Sequence, residues 1–157
     1  MGIKLKKICW DANCFLGILN QEVDKMDACN AIINAAKKGK VELFTSVLTT
    51  CEVAKTRTND IEDYKFDTMI QKYFKQPYIH VVPIEHKVSE ITRDLIRKHS
   101  KFDRRIKDAV HIATAIYINA DVLHTYDSDL LGLSGSESIN VEISRPIDFQ
   151  LPMSLTD

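Results

Sequence analysis

The stretch Ile8-Cys9-Trp10-Asp11-Ala12-Asn13 carries three apolar residues straight into a carboxylate. Apolar residues that do not alternate mark a strand covered on both faces, and an acid at its carboxyl end sits where open α/β sheets collect their ligands. Working outward, residues 41–45, 79–82 and 122–125 form further short apolar runs. Residues 139–143 alternate instead, with Ile139, Val141 and Ile143 on one side and Asn140 and Glu142 on the other. That run is expected at a sheet edge with one wet face. Between the runs lie stretches of helical period at 24–38, 46–56, 60–74, 85–99 and 103–118. Ser46 stands where an N-cap belongs, and Gly39 where a helix stops. Strand and helix in alternation predict an α/β fold, a three-layer α/β/α sandwich around a mostly parallel five-stranded sheet.

At 157 residues the chain has the size of one domain, read as 1–157 with an irregular tail from about Ser144, where Pro146 and Pro152 fall. Hydrophobic residues make up 45% and charged residues 27%, the balance of a soluble globular protein. The formal net charge of −1 creates no global field to draw the protein onto nucleic acid or an anionic membrane. A polyanion would need a local patch or metal ions. Cys9, Cys14, Cys29 and Cys51 lie in or beside apolar segments without a CxxC pair, so buried free thiols are expected rather than a zinc site. The basic start leads to an apolar run cut at once by Asp11, unlike a secretory signal. The longest apolar stretch, 109–118, is too short to span a bilayer. A reduced, cytoplasmic setting without membrane attachment is the expectation.

Four acids stand out. Asp11 ends the first strand and Asp127 follows the fourth, in Leu123-His-Thr-Tyr-Asp127, so the two share a rim if those strands are neighbours. Singly, each reads better as a turn or cap aspartate, and Asp127-Ser-Asp-Leu would cap a short helix. Glu52 lies four residues after Leu48 and beside Cys51, on the border of a buried helix face where a carboxylate wants a partner. A capping box from Thr49 to Glu52 is the weaker reading, because Ser46 is the better helix start. Asp108 opens the most apolar helix, Lys107-Asp-Ala-Val-His-Ile-Ala-Thr-Ala-Ile116, and a pair with Arg104 is its structural alternative. Gathered on one rim, such acids raise one another's pKa unless a cation is present. Hard Mg²⁺ or Mn²⁺ prefers these oxygen ligands. With no covalent nucleophile evident, metal-assisted phosphodiester hydrolysis is the chemistry that fits.

At these residues the sequence resembles PIN-domain nucleases, and within them it is similar to the VapC-type toxins of toxin–antitoxin pairs. The likeness is carried by Trp10-Asp-Ala-Asn13, Thr45-Ser-Val-Leu-Thr-Thr-Cys-Glu52, Lys107-Asp-Ala-Val-His-Ile-Ala-Thr-Ala115 and Leu123-His-Thr-Tyr-Asp127, in the family's order. Trp10 stands where an aliphatic residue is usual, and the segment 57–76 is longer than compact toxins need. The resemblance implies a parallel sheet in an α/β/α sandwich and Mg²⁺- or Mn²⁺-dependent endonucleolytic cleavage of RNA. It implies metal roles for Asp11, Glu52 and Asp108, with Asp127 completing the site directly or through water and Asp129 as its substitute. It implies that Asn13, Ser46 and Thr125 support the acids or contact phosphate. It also implies a homodimer neutralised by an antitoxin laid across the active groove. Other PIN proteins act in RNA processing or regulation without an antitoxin.

The densest basic segment supplies Arg97, Lys98, Lys101, Arg104, Arg105 and Lys107 just ahead of Asp108. These cations suit phosphates flanking a cut, with Phe102 for base stacking. A solvated loop and helix start is the plain alternative. Lys55 and Arg57 offer a weaker version. His111 and His124 lie on elements that bear acids, and read either as packed residues or as groups behind the acids. The stripe Val88, Ile91, Leu95 and Ile96 reads as core. Competing functions lack their signatures. A silent PIN fold serving as an RNA- or protein-binding module would have lost one of the acids. A haloacid-dehalogenase-type phosphatase needs aspartate where Asn13 stands, and a phosphorelay receiver wants adjacent acids after the first strand. A P-loop or dinucleotide site requires a glycine-rich loop, which is missing.

Overall fold

The structure, a computed structural model, describes residues 2–54 and 63–146. The elements run β1 (Lys6–Trp10), α1 (Ala12–Leu19), α2 (Val23–Lys37), β2 (Val41–Ser46), α3 (Val47–Glu52), α4 (Asp63–Phe74) and β3 (Ile79–Val82). They continue with α5 (His86–Lys98), a 3₁₀ turn (Ser100–Phe102), α6 (Ile106–Tyr117), β4 (Val122–His124), α7 (Ser128–Leu131) and β5 (Glu142–Ser144). The strands form one sheet in the order β3-β2-β1-β4-β5, and every pairing is parallel. Side chains alternate between its faces. Ile8 and Trp10 of β1 and Val122 of β4 enter a core shared with α1, α2 and α4, while Cys9 and Leu123 enter one made with α5 and α6. Burial on both faces explains the continuous apolar runs, and the three-layer α/β/α sandwich expected from sequence is the fold observed.

Helices α2 and α5 fall within a residue of the expected spans, and Gly39 follows α2 with φ +68. Helix α1 has no counterpart in the periodicity. Its residues Ala12, Cys14, Phe15 and Gly17 are buried and only Asn13 is exposed, so no continuous wet face marks it. Its start is nevertheless encoded, since the Asp11 carboxylate accepts from the Asn13 amide at 3.0 Å as an N-cap. Gly17 lies where α2 crosses, and a Cβ there would stand 3.0 Å from Lys25 Cβ.

The alternating run is buried as expected at Ile139, Val141 and Ile143, but only Glu142–Ser144 joins the sheet. The backbone turns first, with φ +65 at Ser138 and the Ile139 amide bonded to Ser136 O at 2.9 Å. Strands β3 and β5 are the sheet's edges, of four and three residues, and the Ile143 amide donates to Ser134 Oγ at 2.9 Å.

Helix α6 begins at Ile106 rather than 103, because the 3₁₀ turn and the bend after it occupy the preceding residues. Helix α3 ends at Glu52, short of 56, and the first residues of the 60–74 stretch lie outside the described residues. Lys55 and Arg57 also lie outside them, as does the tail from 147, with Pro152. All four cysteines are free, but Cys51 is exposed rather than buried. Among the described residues no helix is long and apolar enough to cross a membrane.

Candidate active site

Trp10 pairs with Thr45 on one side and with His124 on the other. The residues that follow, Asp11, Ser46 and Thr125, therefore emerge side by side at the carboxyl rim of the sheet. Asp11 is 4% exposed. Its Oδ1 accepts from the Asn13 amide, and its Oδ2 from the Thr125 hydroxyl at 2.5 Å. Thr125 Oγ1 in turn accepts from the Asp127 amide at 3.1 Å, so one hydroxyl ties two acids together. Burial raises the Asp11 pKa, against the His111 charge and these hydrogen bonds.

The floor of the rim explains the unusual Trp10. Its indole N–H donates to His124 Nδ1 at 3.1 Å, and both side chains are fully buried. Burial and the nearby Lys6 lower the His124 pKa to about 3, which keeps the ring neutral and able to accept. Thr45 Oγ1 donates to Trp10 O at 2.8 Å and shares a hydrogen bond with Thr49 Oγ1 at 2.7 Å.

Asp127 caps α7, its Oδ1 accepting from the Asp129 amide at 2.8 Å. The cap and rim roles suggested for it coexist, because its other oxygen faces Arg105 Nη2 at 2.7 Å. The same guanidinium places Nε 2.9 Å from Asp108 and Nη1 2.6 Å from Asp129. Arg105, not Arg104, is thus the partner of Asp108. The alternative pair with Arg104 requires a helix through residue 104, and α6 starts too late for that spacing. Burial raises the Asp108 pKa against Arg105, and the neighbouring Asp127 and Glu52 add to the rise.

Glu52 closes α3, and its Oε1 lies 2.5 Å from Nε2 of buried His111 on α6, with Lys107 Nζ 3.7 Å from Oε2. Burial alone would raise the Glu52 pKa, but the His111 hydrogen bond and charge, with Lys107, outweigh it and lower it. The Thr49–Glu52 capping box does not form: Ser46 Oγ caps α3 at the Leu48 amide, 3.1 Å away, and Glu52 is at the opposite end of the helix. His111 therefore stands behind an acid, while His124 is a packed residue.

Of the smaller polar residues, Asn13 contributes its backbone amide while its side chain is exposed, Ser46 uses its hydroxyl as a cap, and Thr125 binds Asp11 directly. Of the basic residues, Arg105 and Lys107 reach the acids, and Lys101 and Arg104 are exposed. Lys98 instead pairs with Asp94 at 3.0 Å and Ser138 at 2.8 Å, and Arg97 lines a shallow cleft beside it with Glu90 and Arg93. Phe102 is not available for stacking on a base. The 3₁₀ turn folds it into the core, edge-on to His99.

Among the described residues no three acids, histidines or cysteines stand close enough to hold a metal ion as they are. The donor chemistry nonetheless suits a hard divalent cation. The rim offers oxygen ligands, and Asp108, Asp127 and Asp129 already converge on one positive group, the Arg105 guanidinium.

The family described as PIN domain matches residues 8–135, a span that includes every one of these acids. The chain belongs to the PIN domain family. No curated protein matches its sequence. Solved structures similar to this PIN domain include a toxin–antitoxin complex from Klebsiella pneumoniae, at 14% identity and a TM-score of 0.61 over 92% of this chain and 99% of that one. The sarcin-ricin loop cleaving toxin VapC20 of Mycobacterium tuberculosis matches at 13% identity and a TM-score of 0.61, over 78% of this chain and 91% of that one. VapBC2 from Rickettsia felis, bound to a promoter DNA fragment, matches at 12% identity and a TM-score of 0.62, over 87% and 98%. At such identities the likeness is one of fold.

Proposed function

We propose that this PIN domain is a metal-dependent endoribonuclease that hydrolyses RNA phosphodiester bonds, and that it is the toxin of a toxin–antitoxin pair. The observation that carries the reading is the convergence of acids at one rim. The Thr125 hydroxyl links the Asp11 carboxylate to the Asp127 backbone amide, and the Asp127, Asp108 and Asp129 carboxylates share the Arg105 guanidinium. Asp11, Glu52, Asp108 and Asp127 would hold Mg²⁺ or Mn²⁺, with Asp129 able to substitute for Asp127. An ion held there supplies Lewis acidity toward a phosphoryl oxygen and lowers the pKa of a water.

The chain's own part is positional and electrostatic. Thr125 keeps Asp11 and Asp127 in register, and His111 fixes one oxygen of Glu52. Lys101, Arg104 and Lys107 are exposed near the start of α6, where they can meet substrate phosphates. A local patch is what a chain of net charge −1 requires. The toxin role, and with it an antitoxin partner, is supported by neighbours described as a toxin–antitoxin complex and as a toxin; a homodimer in a cytoplasmic setting completes the reading.

The test is incubation of the pure protein with RNA and Mg²⁺ or Mn²⁺. Cleavage is expected, stopped by EDTA and reduced at least about a hundredfold by Asp11→Asn or Asp108→Asn. Equal cutting by the Asp11→Asn protein, or cutting that ignores EDTA, would rule the mechanism out. Growth arrest on expression, absent with Asp11→Asn, tests the toxin role.

A further inference from the structure

Every nitrogen of the Arg105 guanidinium is committed to a carboxylate: Nε to Asp108 Oδ2 at 2.9 Å, Nη2 to Asp127 Oδ2 at 2.7 Å and Nη1 to Asp129 Oδ2 at 2.6 Å. Two of these acids are ones that the proposed function assigns to a divalent cation. Mg²⁺ sits about 2.0–2.1 Å from its oxygen ligands, and like charges in one small site repel strongly. The guanidinium and the ion therefore exclude each other. Arg105 is also placed to leave. It precedes the first residue of α6, with φ −132 and ψ 48, and its side chain is 36% exposed, so it can turn toward solvent without opening the core.

We propose that Arg105 is a built-in competitor for the metal, engaging Asp108, Asp127 and Asp129 and offsetting part of their charge in the ion-free protein, and swinging out when a divalent cation binds. The proposal rests on the metal-dependent reading above. It accounts for a rim of clustered acids that is held together without an ion. Once displaced, Arg105 is planar, permanently charged and close to the acids, a geometry suited to a substrate phosphate.

The experiment titrates Mn²⁺ alone into the full-length wild-type protein and into Arg105→Gln, Arg105→Lys and Arg104→Gln by calorimetry, with melting curves in parallel. Arg104 is exposed and its loss changes the net charge equally, so it controls for general electrostatics. Arg105→Gln should bind Mn²⁺ about tenfold more tightly than wild type, from the loss of three partly exposed ion pairs. Arg104→Gln should stay within about twofold of wild type, because screened surface charges act weakly. Arg105→Lys, which keeps the charge without the three-way fork, should fall between. Without metal, Arg105→Gln should melt below wild type and gain more from saturating Mn²⁺. Equal affinity in Arg105→Gln and wild type overturns the proposal, as does equal tightening by both glutamine variants. An absence of Mn²⁺ binding in every protein overturns the metal reading itself, so the two failures are distinguishable.

Discussion

Asp11 keeps its carboxylate buried between Thr125 and the Asn13 amide, and burial raises its pKa above the ordinary aspartate value. An acid with a raised folded pKa costs stability once ionised. That cost is absent below the unfolded value of 3.8 and grows as pH rises through the folded one. Asp11→Asn preserves an acceptor for the Asn13 amide and removes the buried charge. At neutral pH, without metal, this variant is expected to be more stable than the parent, with a higher midpoint in urea denaturation, although inactive. A lower midpoint would mean that the Thr125 bond outweighs the burial cost. At this scale the sequence is unevenly legible. Asp11 is legible because it ends a strand. The His111–Glu52 contact joins residues 59 apart on different helices, and no local spacing reports it. Whether Arg104 or Arg105 meets Asp108 turns on where α6 begins, and Phe102 looks solvent-facing only until its neighbours are folded into a turn.

Helices reveal themselves in sequence when one face is wet. Helix α2 and the strongly amphipathic α5 do so, and their boundaries follow. Helix α1 hides because its apolar residues extend nearly all round it, leaving only the Asp11 cap as a sign. Its packing depends on Gly17, where an added Cβ would meet Lys25 Cβ at 3.0 Å, too near the α2 backbone for a simple rotamer change to relieve. Gly17→Val should lower stability by about 1–3 kcal/mol, read as a drop in melting temperature. An unchanged melting temperature would show that α1 and α2 part freely.

For the molecule as a whole, strand number and parallel pairing could be read from the apolar runs, and placing Asp11 and Asp127 on one rim required only that β1 and β4 be neighbours. The full strand order needed the structure, since no run records which strand pairs with which. The rim acids also give the molecule a two-part response to pH. Asp11 and Asp108, with raised pKa values, relieve strain as they protonate on acidification from neutral pH. Glu52 behaves oppositely. Its pKa is lowered, so its contribution is present above the unfolded value of 4.5 and is lost as pH falls through the folded one. Stability of the ion-free protein should therefore hold or rise on mild acidification and decline only in the carboxylate range. Cleavage should fall earlier, as protonated acids release the metal. Urea midpoints and cleavage rates measured across the same pH series check this, and a parallel decline of both would contradict it.

The short outer strands bear on a different hazard. Exposed strand edges invite foreign strands to add, and cross-β aggregates grow by that addition. Here the two edges span only four and three residues, and on β5 the Ile143 amide is already taken by Ser134. Among the described residues the sheet of this chain, 45% hydrophobic overall, thus offers an incoming strand little template. Growth of fibrils from the folded sheet is disfavoured accordingly.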